Sequence, residues 1–381
     1  MAKKPTAKPV AKKRTAKPAA KNPTSTKPAI NLLDRSAVLR AAKTIAPGAG
    51  ANDLGAELGD VVAIEVQAEA ALEIGDLPRA IRTYTRLIDT AATPLASHLI
   101  ARGRAYYRAG DHVSAIGDFE RGLAIEPRYP DLYFDKGKAE LQAGRVGDAE
   151  ASFTQDLELD PSPISFYNRH LARKALGDRD GALADLDRAI EGMPDEVPLR
   201  VARSILRAAT SDAEGALADA EHAVVLDPGD ISHHERCGRL ALAVGRNERA
   251  AAAYATARRI AVEAGDIPDA EHLAGEALAI GQLGRHGDAL ALLDRALAIS
   301  PDDPTLRCNR GWMLHLAGRD TDALIDLDHA IALDSTYAKA LQNRAAIYTS
   351  LGDRSRALAD YRRLDELGHD VSDAIARLVA P

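Results

Sequence analysis

The chain has 381 residues, and its hydrophobic content of 46% is enough for a large buried core, although aromatic residues account for only 4%. No run of about 20 apolar residues occurs, so no membrane-spanning helix is expected. The net charge of −7 is unevenly distributed, and the two cysteines, Cys237 and Cys308, have the spacing of neither a disulfide framework nor a zinc site.

Residues 1–29 form a basic tail that is predicted to be disordered. Residues 1–30 contain nine Lys or Arg and no acidic residue, so residues 31–381 carry −16. Such a Lys/Pro/Ala-rich segment buries too little apolar surface to offset its ordering entropy. It also lacks the apolar run of a secretory signal, so we expect a cytoplasmic location. The tail is either a solvated, solubilising segment or an electrostatic contact for nucleic acid, another polyanion or an acidic partner.

Residues 30–60 are predicted to contain a short amphipathic helix over 31–45 and a Gly-rich linker over 47–59. After them a period near 34 residues dominates the chain. A turn glycine followed by Asp or Arg recurs at that spacing, and Ser211 occupies the one missing slot between Gly75, Gly110, Gly144, Gly177, Gly245, Gly284, Gly318 and Gly352. This period is too long for leucine-rich repeats and too short for typical armadillo units.

Further columns keep the register that the turns define. An alanine stands five residues after every one of the nine turns, from Ala80 to Ala357, and most repeats have a large residue nine after the turn, such as Phe153. Offsets of five, nine and thirteen lie on one face of a helix. A proline seventeen after the turn, as at Pro301, ends that helix in five repeats. Each unit is therefore predicted to be a helix, a turn, a second helix and a loop.

In this register the segments GDRDGALADLDRAIEGMP, GRHGDALALLDRALAISP and NRGWMLHLAGRDTDALIDLDHAIALD resemble tetratricopeptide repeats. The resemblance implies an all-α fold, an α-solenoid of antiparallel helix pairs, followed by a capping helix over 372–381. The extra residues near 264–268 are expected to lengthen one loop. The array over 61–371 is divided into nine repeats at about 61–94, 96–129, 130–163, 163–196, 197–230, 231–264, 270–303, 304–337 and 338–371.

The same resemblance implies that the first helices line a concave groove that binds a partner peptide or helix. The chain is thus predicted to be a protein-interaction adaptor or scaffold. The candidate partner-binding groove consists of first-helix residues outside the core columns, namely Arg104, Tyr107, Arg108, Phe134, Lys138, Tyr167, Asn168, Lys174, Asn309, Trp312, His315, Lys339 and Asn343. Val201 and Ile205 add an apolar patch. Basic and aromatic residues together suit an acidic peptide with an apolar anchor, and the alternative is a mixed solvated helix face.

No motif for catalysis, a cofactor or a metal is found, since P-loop, GxSxG and HExxH patterns do not occur. His233 and His234 precede Cys237, but adjacent side chains on one helix point apart, so no shared metal is expected. Acid pairs such as Asp185 and Asp187, or Asp326 and Asp328, recur with the repeat and are interpreted as a solvated outer face. We expect neither enzyme activity nor a cofactor.

Overall fold

The computed structural model describes residues 53–379 apart from 92, 94, 130 and 268, so the basic tail and the predicted helix over 31–45 lie outside the described residues. The described residues form helices and no strand, and none of these helices is long and apolar enough to cross a membrane. The helices are α1 Asp53–Glu73, α2 Leu77–Thr90, α3 Ala96–Arg108, α4 His112–Ile125, α5 Leu132–Gln142, α6 Val146–Leu159, α7 Pro163–Leu176, α8 Arg179–Gly192, α9 Val197–Ala209, α10 Ala213–Leu226, α11 Ile231–Ala243, α12 Asn247–Ala264, α13 Ala270–Gln282, α14 His286–Ile299, α15 Pro304–Leu316, α16 Asp320–Leu333, α17 Ala338–Ser350, α18 Arg354–Glu366 and α19 Ser372–Val379.

Consecutive helices make nine helix–turn–helix repeats, from repeat 1 (α1 and α2) to repeat 9 (α17 and α18), and α19 packs on α18. The chain divides into two compact bodies, one ending at Ala105 and one beginning at Tyr106. In the second body each second helix packs on the next first helix, and several first helices also contact the next first helix, as α5 does α7. We call the surface of these first helices the first-helix face.

The turns between the two helices of each repeat require a left-handed backbone. All eight turn glycines have φ between 74° and 84°. Ser211 adopts the same conformation with φ 65°, although its Cβ makes this conformation unfavourable for a serine. The predicted equivalence of Ser211 with the glycines is therefore confirmed, and repeat 5 is strained at this turn.

The dipeptides that begin the second helices differ in what they contribute. Where Asp follows the turn glycine or Ser211, its carboxylate caps the helix by accepting a backbone N–H three residues on, as at Asp76, Asp111, Asp178, Asp212 and Asp353. Where Arg follows, as at Arg246, no side-chain cap forms. An N-terminal carboxylate also interacts favourably with the helix dipole, so the Asp turns are the better helix starts.

Small residues let the two helices of a repeat approach closely. All nine alanines of the predicted column are fully buried. On the facing helix, a Cβ added at Gly137 would lie 2.8 Å from the ring of Phe153. A Cβ added at Gly275 would lie 2.4 Å from the ring of Tyr254, across the contact between repeats 6 and 7. The core is thus built from small residues on both helices and from large residues of the second helices, such as Phe153, that pack against first-helix glycines.

Two boundaries differ from the sequence-based expectation. Helix α1 begins at Asp53, inside the stretch interpreted as a Gly-rich linker. The extra residues between repeats 6 and 7 lengthen a helix instead of a loop, because α12 has 18 residues where α8, α10 and α14 have 14. Val262 stands where other repeats have the helix-ending proline, so the alanine-rich helix continues to Gly265, whose φ of 87° ends it.

The interpretation of the recurring acids as a solvated outer face is wrong for one acid of each pair. Asp185 and Asp326 are each only 2% exposed. Arg310, eight residues before its turn, donates two hydrogen bonds of 2.6 and 2.8 Å to Asp326, eight residues after that turn. Its third nitrogen donates to Asp294 of the preceding repeat at 2.7 Å. We call this arrangement the Arg–Asp fork, and it recurs in the pairs Arg169–Asp185, Arg203–Asp219 and Arg344–Asp360.

Replacing Ser211 by glycine should raise the free energy of unfolding by about 1 kcal/mol, because glycine adopts positive φ without the Cβ penalty. Urea unfolding followed by circular dichroism measures the change. Gly177→Ser is the matched control and should lower stability by a similar amount, since a Cβ there meets no neighbour and only the backbone penalty acts. Equal stability of Ser211→Gly and the wild type would contradict the strained turn.

Asp326→Asn should lower the free energy of unfolding by about 3 kcal/mol, because it removes the buried counter-charge of the Arg310 guanidinium and leaves only the exposed Asp294 to pair with it. Asp328→Asn, two residues further on, also removes a carboxylate that binds an arginine, Arg344. This carboxylate is exposed, so the free energy of unfolding should fall by at most about 1 kcal/mol. Chemical denaturation of both variants tests the difference. Similar losses for the two would show that burial does not govern the fork.

Candidate functional site

A cleft on the first-helix face of repeats 4 and 5 brings together residues that the sequence placed in separate groups. Helix α7 contributes Tyr167 and Lys174, and α9 contributes Val201 and Ile205, around a cavity of about 530 Å³. The volume lies within the range of about 300–1,000 Å³ that ligand clefts occupy. We call it the α7–α9 cleft.

Helical spacing explains why these side chains share one wall. Tyr167, Leu171 and Lys174 stand four and three residues apart and so lie on one face of α7. Val201 and Ile205 have the same relation on α9. The opposite faces of both helices are buried in the repeat core through residues such as Ala172 and Leu199. The core positions therefore fix which residues the first helices present to the cleft.

His170 lies at the inner end of the cleft wall and is only 2% exposed. It stands where the other repeats have a small residue. Its Nδ1 contacts the carbonyl oxygen of Tyr167, so Nδ1 carries the proton and donates. Burial lowers the pKa of His170, the hydrogen bond to Tyr167 opposes this shift, and Lys174 adds to it. The imidazole is therefore neutral near pH 7 and adds a polar but uncharged group to an apolar cleft.

Two cations with no ion-pair partner among the described residues flank the cleft. Lys174 and Arg179 are exposed, and neither forms an ion pair with any residue that the structure describes. Arg173, next to Lys174, is by contrast held by Glu150 at 3.2 Å and by Asp185 at 3.1 Å. The cleft thus combines apolar walls with unpaired positive charge, which is complementary to an apolar side chain flanked by acidic groups.

A second group of predicted groove residues is in mutual contact. The Lys138 Nζ lies 5.1 Å from the ring centre of Tyr107 and 5.3 Å from that of Phe134, distances at which a cation is attracted to an aromatic face. Burial, and then the charge of Asp135, raise the pKa of Tyr107. The structure therefore places these three residues together, with the lysine held over the two rings.

Three other predicted groove residues are exposed or form a hydrogen bond within their own helix. Arg104 and Arg108 are exposed on α3, and Arg104 belongs to the body that ends at Ala105. Asn168 is half-buried, and its amide donates 2.8 Å to the carbonyl oxygen of Ile164 one turn earlier on the same helix. Its side chain is therefore used within α7.

Only some of the predicted groove residues of repeats 8 and 9 are exposed enough to contact a partner. The rings of Trp312 and His315 lie 5.2 Å apart, and His315 Nδ1 lies 2.6 Å from an Asp320 carboxylate oxygen. Trp312 also packs against the core between repeats 7 and 8. Asn309 is half-buried and Lys339 is exposed.

Asn343 is buried, and its amide donates 3.3 Å to the Cys308 sulfur. Its prediction as a groove residue is therefore wrong, because its position on α17 points into the contact between repeats 8 and 9. Burial raises the pKa of the Cys308 thiol to about 11, so the sulfur stays protonated and accepts this bond.

Two features of the site lay outside the predicted residues. His170 is the one exception to the small-residue column in the sequence, and Arg179 begins a second helix, whereas the predicted groove residues lie on first helices.

A further cavity of about 480 Å³ lies in repeats 5 and 6 beside Cys237 and Ala253. These two residues occupy the fork positions of repeat 6, where no Arg–Asp pair is encoded. The absence of both fork residues was the available signal for that cavity.

The tetratricopeptide repeat family model matches residues 66–133, 100–162, 238–304 and 276–338, and a second tetratricopeptide repeat model matches 338–367. Together these ranges cover more than half of the chain. They leave out repeats 4 and 5, where α7 to α10 form helix pairs of the same kind, with turns and forks in the same register.

Curated relatives match over short segments. A segment of 74 residues, 19% of this chain, is 39% identical to the TPR repeat-containing thioredoxin TTL4 of Arabidopsis thaliana and covers 11% of it. A segment of 132 residues, 34% of this chain, is 28% identical to Superkiller complex protein 3 of Homo sapiens and covers 8% of it. The chain thus matches about a tenth of the length of these relatives.

Similar solved structures include the crystal structure of MamA, with a TM-score of 0.41 and 20% identity, covering 43% of this chain and 96% of that one. The crystal structure of YrrB, described as a TPR protein with an unusual peptide-binding site, has a TM-score of 0.37 and 20% identity. It covers 50% of this chain and 96% of that one.

Proposed function

The chain belongs to the tetratricopeptide repeat family, and we propose that it is an adaptor that binds a peptide or helix of a partner protein along its first-helix face. Tetratricopeptide repeat proteins mediate protein–protein interactions. The observation that carries the proposal is the α7–α9 cleft, where an apolar cavity of 530 Å³ lies beside two cations that have no partner among the described residues.

The chemistry of the cleft defines the segment that it would accept. Val201 and Ile205 offer apolar surface, and Ile205 is 41% exposed. Burying one large apolar side chain there would contribute about 1.5–3 kcal/mol. Lys174 and Arg179 favour acidic residues beside that side chain and disfavour basic ones. The proposed partner segment therefore carries an apolar anchor flanked by Asp or Glu.

We propose no catalytic role. The repeats occupy the described chain from Asp53 to Glu366. The strongly buried carboxylates of the second helices, such as Asp185 and Asp326, are held by fork arginines and are not free to exchange protons with a substrate. Burial raises the pKa of the Cys237 thiol to about 11, which disfavours the thiolate that a nucleophile needs.

Lys174→Glu should weaken the binding of acidic, apolar-anchored peptides at least about tenfold, which corresponds to about 1.4 kcal/mol. The peptides are first selected from a random library on the full chain, and their dissociation constants are then measured by fluorescence anisotropy. Arg295→Glu, an identical charge change at an exposed position on second helix α14, is the control and should leave the affinity unchanged.

Equal weakening by both variants would show a general charge effect instead of a site. Selection of basic peptides, or of peptides without an apolar residue, would overturn the proposed chemistry of the cleft. Ile205→Asp separates the two components, because it should weaken every peptide that uses the apolar anchor, whatever its flanking residues.

A second proposal concerns the basic tail, because residues 1–30 hold nine Lys or Arg and no acid. If the tail binds nucleic acid, the logarithm of the affinity should fall linearly with the logarithm of salt concentration, with a slope of about −0.9 per phosphate neutralised on duplex DNA. Replacing the nine basic residues by Gln should abolish that binding. Unchanged DNA binding by the neutralised chain would reject a role for the tail.

A further inference from the structure

The loop between repeats 5 and 6 gathers three side chains that commonly bind metals. Asp227 follows the last residue of α10, Asp230 caps α11, and His233 lies in the first turn of α11. One ligand atom from each of the three lies within 4.8 Å of the other two. The three residues fall within a span of seven positions, so the local backbone alone holds them together.

The position of His233 shows that its imidazole lacks the partner that similar histidines have. His98 and His272 stand twelve residues before their turns, as His233 does, and each contacts a glutamate of the preceding repeat, Glu65 and Glu235. The position equivalent to those glutamates in repeat 5 is Val201.

His233 is only 9% exposed, and its imidazole forms no hydrogen bond with the residues described. Its Nε2 lies 3.7 Å from an Asp230 carboxylate oxygen, Oδ2, beyond hydrogen-bonding distance. Three of the repeats, by contrast, fill this position with a buried leucine, namely Leu132, Leu199 and Leu306. This buried imidazole thus faces two carboxylates without a hydrogen bond to either, a spacing that leaves room for a shared cation.

The two carboxylates are already oriented by the backbone. Asp227 Oδ1 accepts the N–H of Gly229 at 3.3 Å, and Asp230 Oδ1 accepts the N–H of Ser232 at 2.7 Å. Each carboxylate keeps a second oxygen for a ligand, and such outer bonds fix the geometry of metal ligands. Hydrogen bonding to Ser232 lowers the pKa of Asp230, so this carboxylate is ionised at neutral pH.

We propose that Asp227, Asp230 and His233 bind a divalent cation of the zinc type, with water in the remaining positions. One imidazole and two carboxylates are ligands that Zn²⁺ and Co²⁺ accept, whereas Ca²⁺ and Mg²⁺ prefer oxygen alone. The N-terminus of α11 carries a partial charge of about +0.5. The negative charge of two carboxylates outweighs it, so the site still attracts a cation.

The neighbouring His234 and Cys237 are not part of this site. His234 Nε2 lies 3.0 Å from the carbonyl oxygen of Pro228 and donates to it, which occupies that nitrogen. Cys237 is 6% exposed and lines the separate cavity between α10, α11 and α12. The proposed site therefore differs from a site formed by His233, His234 and Cys237, which helix geometry disfavours.

The test is a titration of the full, tag-free chain with Co²⁺, followed by absorption, and with Zn²⁺, followed by calorimetry. One equivalent should bind with saturation. His233→Leu introduces the residue that the equivalent positions, Leu199 and Leu306, already have, so the fold should persist. The affinity for the metal ion should fall at least about tenfold. Asp227→Asn should also weaken binding, and Asp302→Asn, an exposed carboxylate in the loop between repeats 7 and 8, should not.

Binding of one equivalent that depends on His233 and Asp227 supports the site. The proposal is overturned if the wild type takes up no saturable equivalent at millimolar Zn²⁺, or if His233→Leu binds as tightly as the wild type. Circular dichroism confirms that the variants are folded, and a rise in melting temperature with Zn²⁺ in the wild type but not in His233→Leu gives an independent readout.

Discussion

The Arg–Asp fork is the interaction on which the geometry of the first-helix face depends. In repeat 5, Arg203 donates two bonds to Asp219 of its own repeat and one, of 2.6 Å, to Asp187 of repeat 4. One guanidinium thus fixes α9 against both α10 and α8. The planar, bidentate geometry of arginine allows this, and lysine could not reproduce it. Because α9 forms one wall of the α7–α9 cleft, the fork behind it helps to hold that wall in place.

Repeats 6 and 7 lack the Arg–Asp fork, and other side chains occupy its positions there. Cys237 and Ala253 replace its arginine and aspartate in repeat 6, and a cavity lies beside them. The contact with repeat 7 uses a pair of reversed polarity, in which Arg258 on the long second helix α12 donates 2.9 Å to Glu276 on α13. Stability in a repeat array is a sum of local interfaces, so this junction is expected to differ from its neighbours.

The sequence could predict the repeats because the columns that define them report local requirements. A positive φ favours glycine, close helix contact favours alanine and a helix end favours proline, and Gly177, Ala182 and Pro194 each meet one of these requirements at a fixed spacing. The fork escaped prediction because it joins residues 16 apart whose types are common on solvated surfaces. The sequence signal of the fork is an arginine column eight residues before the turn, at Arg102, Arg169, Arg203, Arg310 and Arg344.

The candidate site was predicted only in parts. Tyr167, Lys174, Val201 and Ile205 were identified as exposed first-helix residues, but their meeting in one cleft depends on how α7 and α9 pack. Asn343 was misplaced for the opposite reason, since an amide on a first helix can point inward when a buried sulfur accepts its hydrogen. Side-chain direction at such boundary positions depends on neighbours that a repeat register does not specify.

Site-specific photo-crosslinking tests most directly whether the cleft is where a partner binds. A photo-reactive amino acid replaces Ile205 in the cleft or, in a second protein, the exposed Ala184 on second helix α8. The account predicts a covalent adduct with a discrete partner from position 205, competed away by a selected acidic peptide, and little from position 184. Equal adducts from both positions, or adducts from 184 alone, would contradict it.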